Sequence, residues 1–233
     1  RRARCRAPGW PTSAPSSPLR LPKFGYSRGF DNVKFVHGNE LDTEFYHHDA
    51  LYHFNPMDYV EEHVLESADK TIGQRAIEPL LSEITDLLRA RQYWRSDEDQ
   101  NVAQVMKAAA KYLEGADRNK QFFLWVDSFD PHEPWDAPSV YDPDLKCPYD
   151  PDYQGKDMFV PPIMPVPNCG LTEPEMNHIR MLYAEKVTNC DKWVGYLLDR
   201  VRALGLEDDT LFLLVSDHGE PMGNGEHGHG LMR

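Results

Sequence analysis

The sequence predicts an α/β protein built on a mostly parallel sheet flanked by helices. Three observations lead there. Residues 121–126 (Gln-Phe-Phe-Leu-Trp-Val) and residues 211–215 (Leu-Phe-Leu-Leu-Val) are short apolar runs. Runs of that length, bounded by turn signals, fit strands buried on both faces. Each run ends in a polar cluster, Asp127 to His132 after the first and Ser216, Asp217, His218 and Gly219 after the second. Between the two lies a long stretch at helical period. Together they make a strand–loop–helix–strand unit with an expected right-handed crossover.

The elements follow in chain order. Residues 1–22 are rich in Arg, Pro, Ser and Ala and have no periodicity, so they are expected to be a disordered basic tail. Residues 23–233 are expected to form the core domain. Six basic residues and no acid fall within residues 1–23, against a net charge of −13 for the chain. Such asymmetry often marks a nucleic-acid tail. Here a segment not native to the rest of the chain is the favoured explanation, and no nucleic-acid partner is expected. No apolar stretch of ~7–15 residues follows the basic residues, so a cleaved signal peptide is not expected. No run approaches the ~18 apolar residues of a membrane span, and no membrane partner is expected.

Residues 30–48 are polar and aromatic with little period. Ile77, Leu80, Leu81, Ile84, Leu87 and Leu88 line one helical face, and Pro79 predicts a helix start or kink beside it. Residues 97–113 predict a cleaner helix, with Val102, Val105, Met106, Ala109, Tyr112 and Leu113 inward and Gly115 near its end. Residues 131–167 are proline-rich, so regular structure should be scarce. That long loop is expected to carry function, as loops at such an edge do. Thr172-Glu173-Pro174-Glu175 is a capping box with its Pro tolerated in the first turn. From Met176 to Leu204 the apolar residues keep helical period, and Gly205 stops them.

Forty per cent hydrophobic residues and five Trp suffice for a core, and 233 residues predict one domain. Cys5, Cys147, Cys169 and Cys190 form no Cys-x-x-Cys pair, which excludes a zinc ribbon. They are read as free thiols, with a Cys147–Cys169 bridge as the alternative. In the absence of an export signal the default compartment is cytoplasmic.

In an open α/β sheet, ligands collect beyond the carboxyl ends of the strands. Asp217 and His218 offer an oxygen and an imidazole nitrogen to a divalent metal there. Their plainer reading is a polar strand end before a Gly-rich loop. Asp127-Ser128-Phe129-Asp130-Pro131-His132-Glu133-Pro134-Trp135 ends the other run. Three segments then resemble the sulfatases of the alkaline phosphatase superfamily: residues 123–135 with His132, residues 183–191 (Tyr-Ala-Glu-Lys-Val-Thr-Asn-Cys-Asp), and residues 215–220 (Val-Ser-Asp-His-Gly-Glu). The turn Gly25-Tyr26-Ser27-Arg28-Gly29-Phe30-Asp31 resembles the family's also. The likeness covers roughly residues 23–233.

The resemblance implies an alkaline-phosphatase-like core and a metal-dependent hydrolase of sulfuric esters acting on a small-molecule sulfate ester. It implies His132 as the catalytic residue, touching substrate oxygens or protonating the leaving group. It implies Asp217 and His218 as metal ligands. Many sulfatases carry Asn where His218 stands. Asn suits calcium, while an imidazole moves the expectation toward manganese or zinc and toward phosphate or phosphonate esters. His227, His229 and Arg233 are candidate substrate or metal contacts, Arg233 standing near the place of a family lysine. His37, His47, His48, His53, His63 and His178 are read as surface or structural.

The family's opening elements are expected to be missing. These are a strand ending in paired aspartates, a Cys/Ser-x-Pro-x-Arg segment whose Cys or Ser becomes the formylglycine nucleophile, and a Gly-Lys-Trp-His segment. Cys5 lies in Cys5-Arg6-Ala7-Pro8-Gly9 and does not fit, and Ser13, Ser16 and Ser17 lie near prolines but are expected to lack the Arg at the required place. The chain is therefore expected to be an incomplete, inactive piece of such an enzyme. The alternatives are a phosphonate or phosphodiester hydrolase of the same superfamily and a non-catalytic relative binding an anionic ligand. The oligomeric state is left open.

Overall fold

The computed structural model describes residues 11–14, 28–36, 51–72, 77–160 and 170–220. The chain divides into two compact units. The first holds residues 1–45, 98–129 and 190–212, the second residues 46–97, 130–189 and 213–233.

The first unit contains a three-stranded parallel sheet. β1 (Pro11–Ala14) is central, with β2 (Asn32–Phe35) on one side and β3 (Trp125–Val126) on the other. Pro11 pairs with Asn32 and Ala14 with Phe35, while Thr12 pairs with Trp125 and Ser13 with Val126. α3 (Asn101–Gly115) packs on β1 and β3. Its buried face runs Val102, Val105, Met106, Ala109 and Leu113, the spacing of one helical stripe. Trp193, Leu197 and Val201 of a later helix join this core.

The first apolar run differs from its expectation. Only Trp125 and Val126 are in a strand. Phe122, Leu124 and Val126 pack into the core, whereas Phe123 and Trp125 are exposed. This is the period of a strand covered on one face. An all-apolar run cannot announce that, because its exposed positions are apolar too. The second run differs more. Residues 211–215 form no strand, and Leu211, Leu213, Leu214 and Val215 are each at least 80% exposed. A buried parallel strand needs neighbours on both sides, and among the described residues nothing pairs with this one. The doubly covered sheet of the sequence reading, with two strand ends at one edge, is therefore not what the described residues form. Within the tail expected to be disordered, residues 11–14 are β1. The remainder of residues 1–22 lies outside the described residues.

The second unit is helical. α1 (Glu62–Ile72) and α2 (Ile77–Arg91) precede the short α4 (Pro138–Tyr141). α2 begins two residues before Pro79, as the proline predicts, and buries Ile84, Leu87 and Leu88. Asn55 caps a 3-10 turn at Pro56–Tyr59, its side-chain oxygen accepting from the Met57 amide at 3.2 Å. The Tyr59 hydroxyl donates to the Val140 carbonyl at 3.2 Å, and its ring meets Phe159 edge-on at 5.2 Å. Residues 142–160 have almost no regular structure, yet Met158 and Phe159 are fully buried. Apolar anchors, rather than backbone ladders, hold that loop.

α5 (Glu173–Ala203) starts in the second unit and ends in the first. The Thr172 amide donates to Glu175 at 2.7 Å, which is the back-reaching half of the predicted capping box. Gly205 has φ +65°, and the Leu206 amide reaches the Val201 carbonyl at 3.1 Å. That is the left-handed glycine stop of a Schellman ending. Cys147 is buried and free, and burial first of all pushes its thiol up to about 11. Cys190 is partly buried, while Cys5 and Cys169 lie outside the described residues. No described helix is long and apolar enough to cross a membrane.

Candidate active site

His132 sits in the turn between Asp130 and Asp136. The peptide bonds Asp130–Pro131 and Glu133–Pro134 are cis, and the Trp135 amide donates to the Phe159 carbonyl at 2.8 Å. Two prolines remove two backbone donors from this turn, so side chains must hold it in place. Lys186 of α5 does so. Its ammonium donates to Asp136 at 2.5 Å and pairs with Asp130 at 2.8 Å. Arg91, at the end of α2, donates its Nε–H to the other Asp136 oxygen and lies 4.8 Å over the Trp94 ring. The Asp130 and Asp136 carboxylates thus meet two cations, and the group is neutral.

All four side chains are at least nine-tenths buried. Burial alone would raise the Asp136 acid, and Arg91 with Lys186 overturns that and holds it below its ordinary value of 3.8. Burial alone would likewise lower the Lys186 ammonium, and Asp130 with Asp136 holds it well above 10.5. Both shifts favour the charged forms, as a satisfied buried ion network requires.

The His132 side chain is 15% exposed. Its Nδ1 lies 2.7 Å from the Glu133 carbonyl and 3.3 Å from the Glu133 carboxylate. A carbonyl oxygen only accepts, so Nδ1 carries a proton. That tautomer assigns proton exchange with a ligand to Nε2. Glu83 of α2 is raised from its ordinary value by burial and then by the charge of Glu133.

The other predicted site residues are differently placed. Asp217 is 92% exposed and His218 40% exposed on the side chain. The His218 amide donates to Asp217 Oδ1 at 3.0 Å, and His218 Nε2 stands 3.9 Å from Asp217 Oδ2. An oxygen and a nitrogen that close can share one cation, so their chemistry fits a divalent metal. Two donors fall short of the four or more that a tight site needs. His227, His229 and Arg233 lie outside the described residues.

Another donor group was not legible in the sequence. Glu61, His63 and Glu175 bring atoms that could hold a cation within 4.8 Å of one another. Each carboxylate already has a structural partner. Glu61 accepts the Lys156 amide at 2.9 Å, and Glu175 accepts the Thr172 amide and lies 3.2 Å from His63 Nε2. His178 is structural, as expected, but in a way its sequence context hides. Its two ring nitrogens face Asp150 at 3.0 Å and Asp157 at 2.7 Å, and its ring stacks on Tyr153 at 3.8 Å.

With the geometry in hand, comparison with known proteins identifies the family. A family model described as Sulfatase matches residues 15–232. The chain belongs to the sulfatase family. That membership brings the alkaline-phosphatase-like α/β fold of the superfamily. An arylsulfatase of Clostridium perfringens is 29% identical over 136 residues, covering 52% of this chain and 26% of the relative. An endo-4-O-sulfatase of Bacteroides thetaiotaomicron is 31% identical over 107 residues, covering 46% and 20%. The multifunctional alkaline phosphatase superfamily protein PehA of Trinickia caryophylli is 28% identical over 145 residues, covering 50% and 26%. The chain therefore matches about a quarter of the length of these relatives. No solved structure matches.

The sulfatase match begins inside the segment assigned by composition to a tail, and it exposes a missed signal. Ser16-Ser17-Pro18-Leu19-Arg20 has the Ser-x-Pro-x-Arg spacing. Arg20 stands four positions after Ser16, so the expectation that no Arg stands at the required place is corrected by the sequence itself. These residues lie outside the described ones.

Proposed function

We propose that this protein belongs to a sulfate ester hydrolase in which His132 serves the leaving group and Ser16 is the nucleophile position. The observation that carries this reading is the buried, charge-balanced turn around His132, found in a chain whose match to the sulfatase family is nearly end to end. An imidazole whose Nδ1–H is committed to a backbone carbonyl leaves Nε2 to take up a proton, and the doubly protonated ring then gives that proton to the departing oxygen. Ser16 stands two residues after β1 in the chain. Asp217 and His218 supply two ligands for a divalent cation, calcium, manganese or zinc. Such a cation, when bound, offsets negative charge on the ester oxygens.

A second reading, hydrolysis of a phosphonate or phosphodiester, is favoured by His218 in place of the more usual Asn and by the likeness to PehA. Assays decide between the two. A longer enzyme that carries paired aspartates ahead of these residues is expected to hydrolyse 4-nitrophenyl sulfate faster than a phosphonate monoester. Ser16→Ala is expected to abolish turnover, and His132→Ala to lower kcat by ~10²–10⁴-fold. The 233-residue chain alone is expected to show no turnover, because among the described residues Asp217 and His218 bring only two donors to such a cation. An active Ser16→Ala enzyme would sink the nucleophile assignment. A reversed substrate preference would favour the second reading.

A further inference from the structure

Lys186 is the residue whose burial the proposed chemistry does not use. A buried ammonium is costly unless fully partnered, and its two partners lie on either side of one residue. Asp130 is two positions before His132 and Asp136 four after it, so both ends of the His132 turn converge on one nitrogen. The two ends are not equally secured. Asp136 has Arg91 as a second cation. Asp130 keeps its Oδ2 buried with no hydrogen bond, so its charge rests on Lys186.

We propose that Lys186 is the positioning residue of His132: its ammonium staples Asp130 to Asp136 and so holds the imidazole in the Nδ1–H form. The inference rests on the reading of His132 as the group that serves the substrate, yet its physical content concerns only the ring's tautomer and orientation. Lys186 touches no reacting atom. It acts through the turn, and α5 provides the rigid element from which it acts.

The test separates positioning from mere stability. Lys186→Met alone strands the Asp130 charge and would destabilise the protein whatever the role. Lys186→Met combined with Asp130→Asn removes the buried charge together with its partner, leaving Asp136 paired to Arg91, so this double variant is expected to keep the fold. The readout is the ring ¹⁵N resonances of the ten histidines, with His132 assigned by its loss in His132→Gln. In the unmodified chain His132 is expected to show the fixed Nδ1–H pattern. In the double variant it is expected to move to the averaged pattern of a freely exchanging ring, while the other histidines stay in place. If the double variant does not fold, Asp130→Ala, in which Lys186 keeps Asp136, is read the same way. An unchanged His132 pattern in a folded variant overturns the proposal and leaves Lys186 a structural cation. Because no turnover is measured, this result stands or falls apart from the sulfatase assays, which test the function itself.

Discussion

At the scale of single residues, buried charge decides most of what is distinctive here. Asp136 accepts from Arg91 and Lys186 in a site closed to water. Asp136→Asn is expected to cost about 3–5 kcal/mol, because two buried cations lose their shared anion. The pH dependence follows from the shifts. Asp136 is held below 3.8, so its stabilisation is present above that value and lost as pH falls through the lowered one. Lys186 is held above 10.5, so its share is present below 10.5 and lost as pH rises through the raised value. Urea unfolding of wild type and Asp136→Asn should therefore differ by a constant amount from about pH 5 to about pH 9, with the gap closing in acid. A gap that widens in acid would contradict the assignment. A second residue-scale prediction concerns Gly155. A Cβ there would overlap the Tyr153 hydroxyl, and the Tyr153 ring stacks on His178. Gly155→Ala is expected to cost about 1–3 kcal/mol and to shift the His178 ring protons. A silent substitution would show that the stack gives way freely.

At the scale of elements, the helices were legible and the strands were not, and each case has a physical cause. The α5 period, its capping box and its glycine stop are local signals that a helix satisfies by itself. Gly205→Ala, forced to hold φ +65°, is expected to cost about 1 kcal/mol in thermal unfolding. Strands depend on partners that sequence does not name. Residues 122–126 are apolar throughout, yet only alternate side chains are covered. Residues 211–215 look like a core strand and are exposed on both sides. If that exposure is right, Leu213→Lys should leave stability within about 0.5 kcal/mol and raise solubility. A loss of several kcal/mol would instead show the run buried. The site divides along the same line. His132 was legible as a residue, because its motif is continuous. Lys186 and Arg91 were not, because they reach Asp136 in the same turn from α5 and α2, 50 positions away in one direction and 45 in the other. The Ser16 spacing was legible too, since Arg20 stands in the place where the Arg was expected to be missing.

At the scale of the whole molecule, the two compact units have separate hydrophobic clusters. One gathers Val64, Ile84, Leu88, Phe159 and Leu182, the other Val102, Val105, Leu113, Trp193 and Val201. Each cluster is drawn from segments far apart in sequence, so each must form from non-local contacts, and neither contains a residue of the other. Among the described helices, α5 alone contributes to both. Local opening follows the contacts that hold a region, so units with distinct cores expose their amides with distinct free energies. Leu182→Ala removes a fully buried side chain from the first cluster and Leu113→Ala one from the second. Each is expected to cost about 2–5 kcal/mol in its own unit. Native-state hydrogen exchange reads the difference. Leu182→Ala should speed exchange in α1 and α2 and leave α3 protected, and Leu113→Ala should do the reverse. Equal loss of protection in α2 and α3 from either substitution would show that the chain opens as one cooperative body, with α5 transmitting the loss from one core to the other.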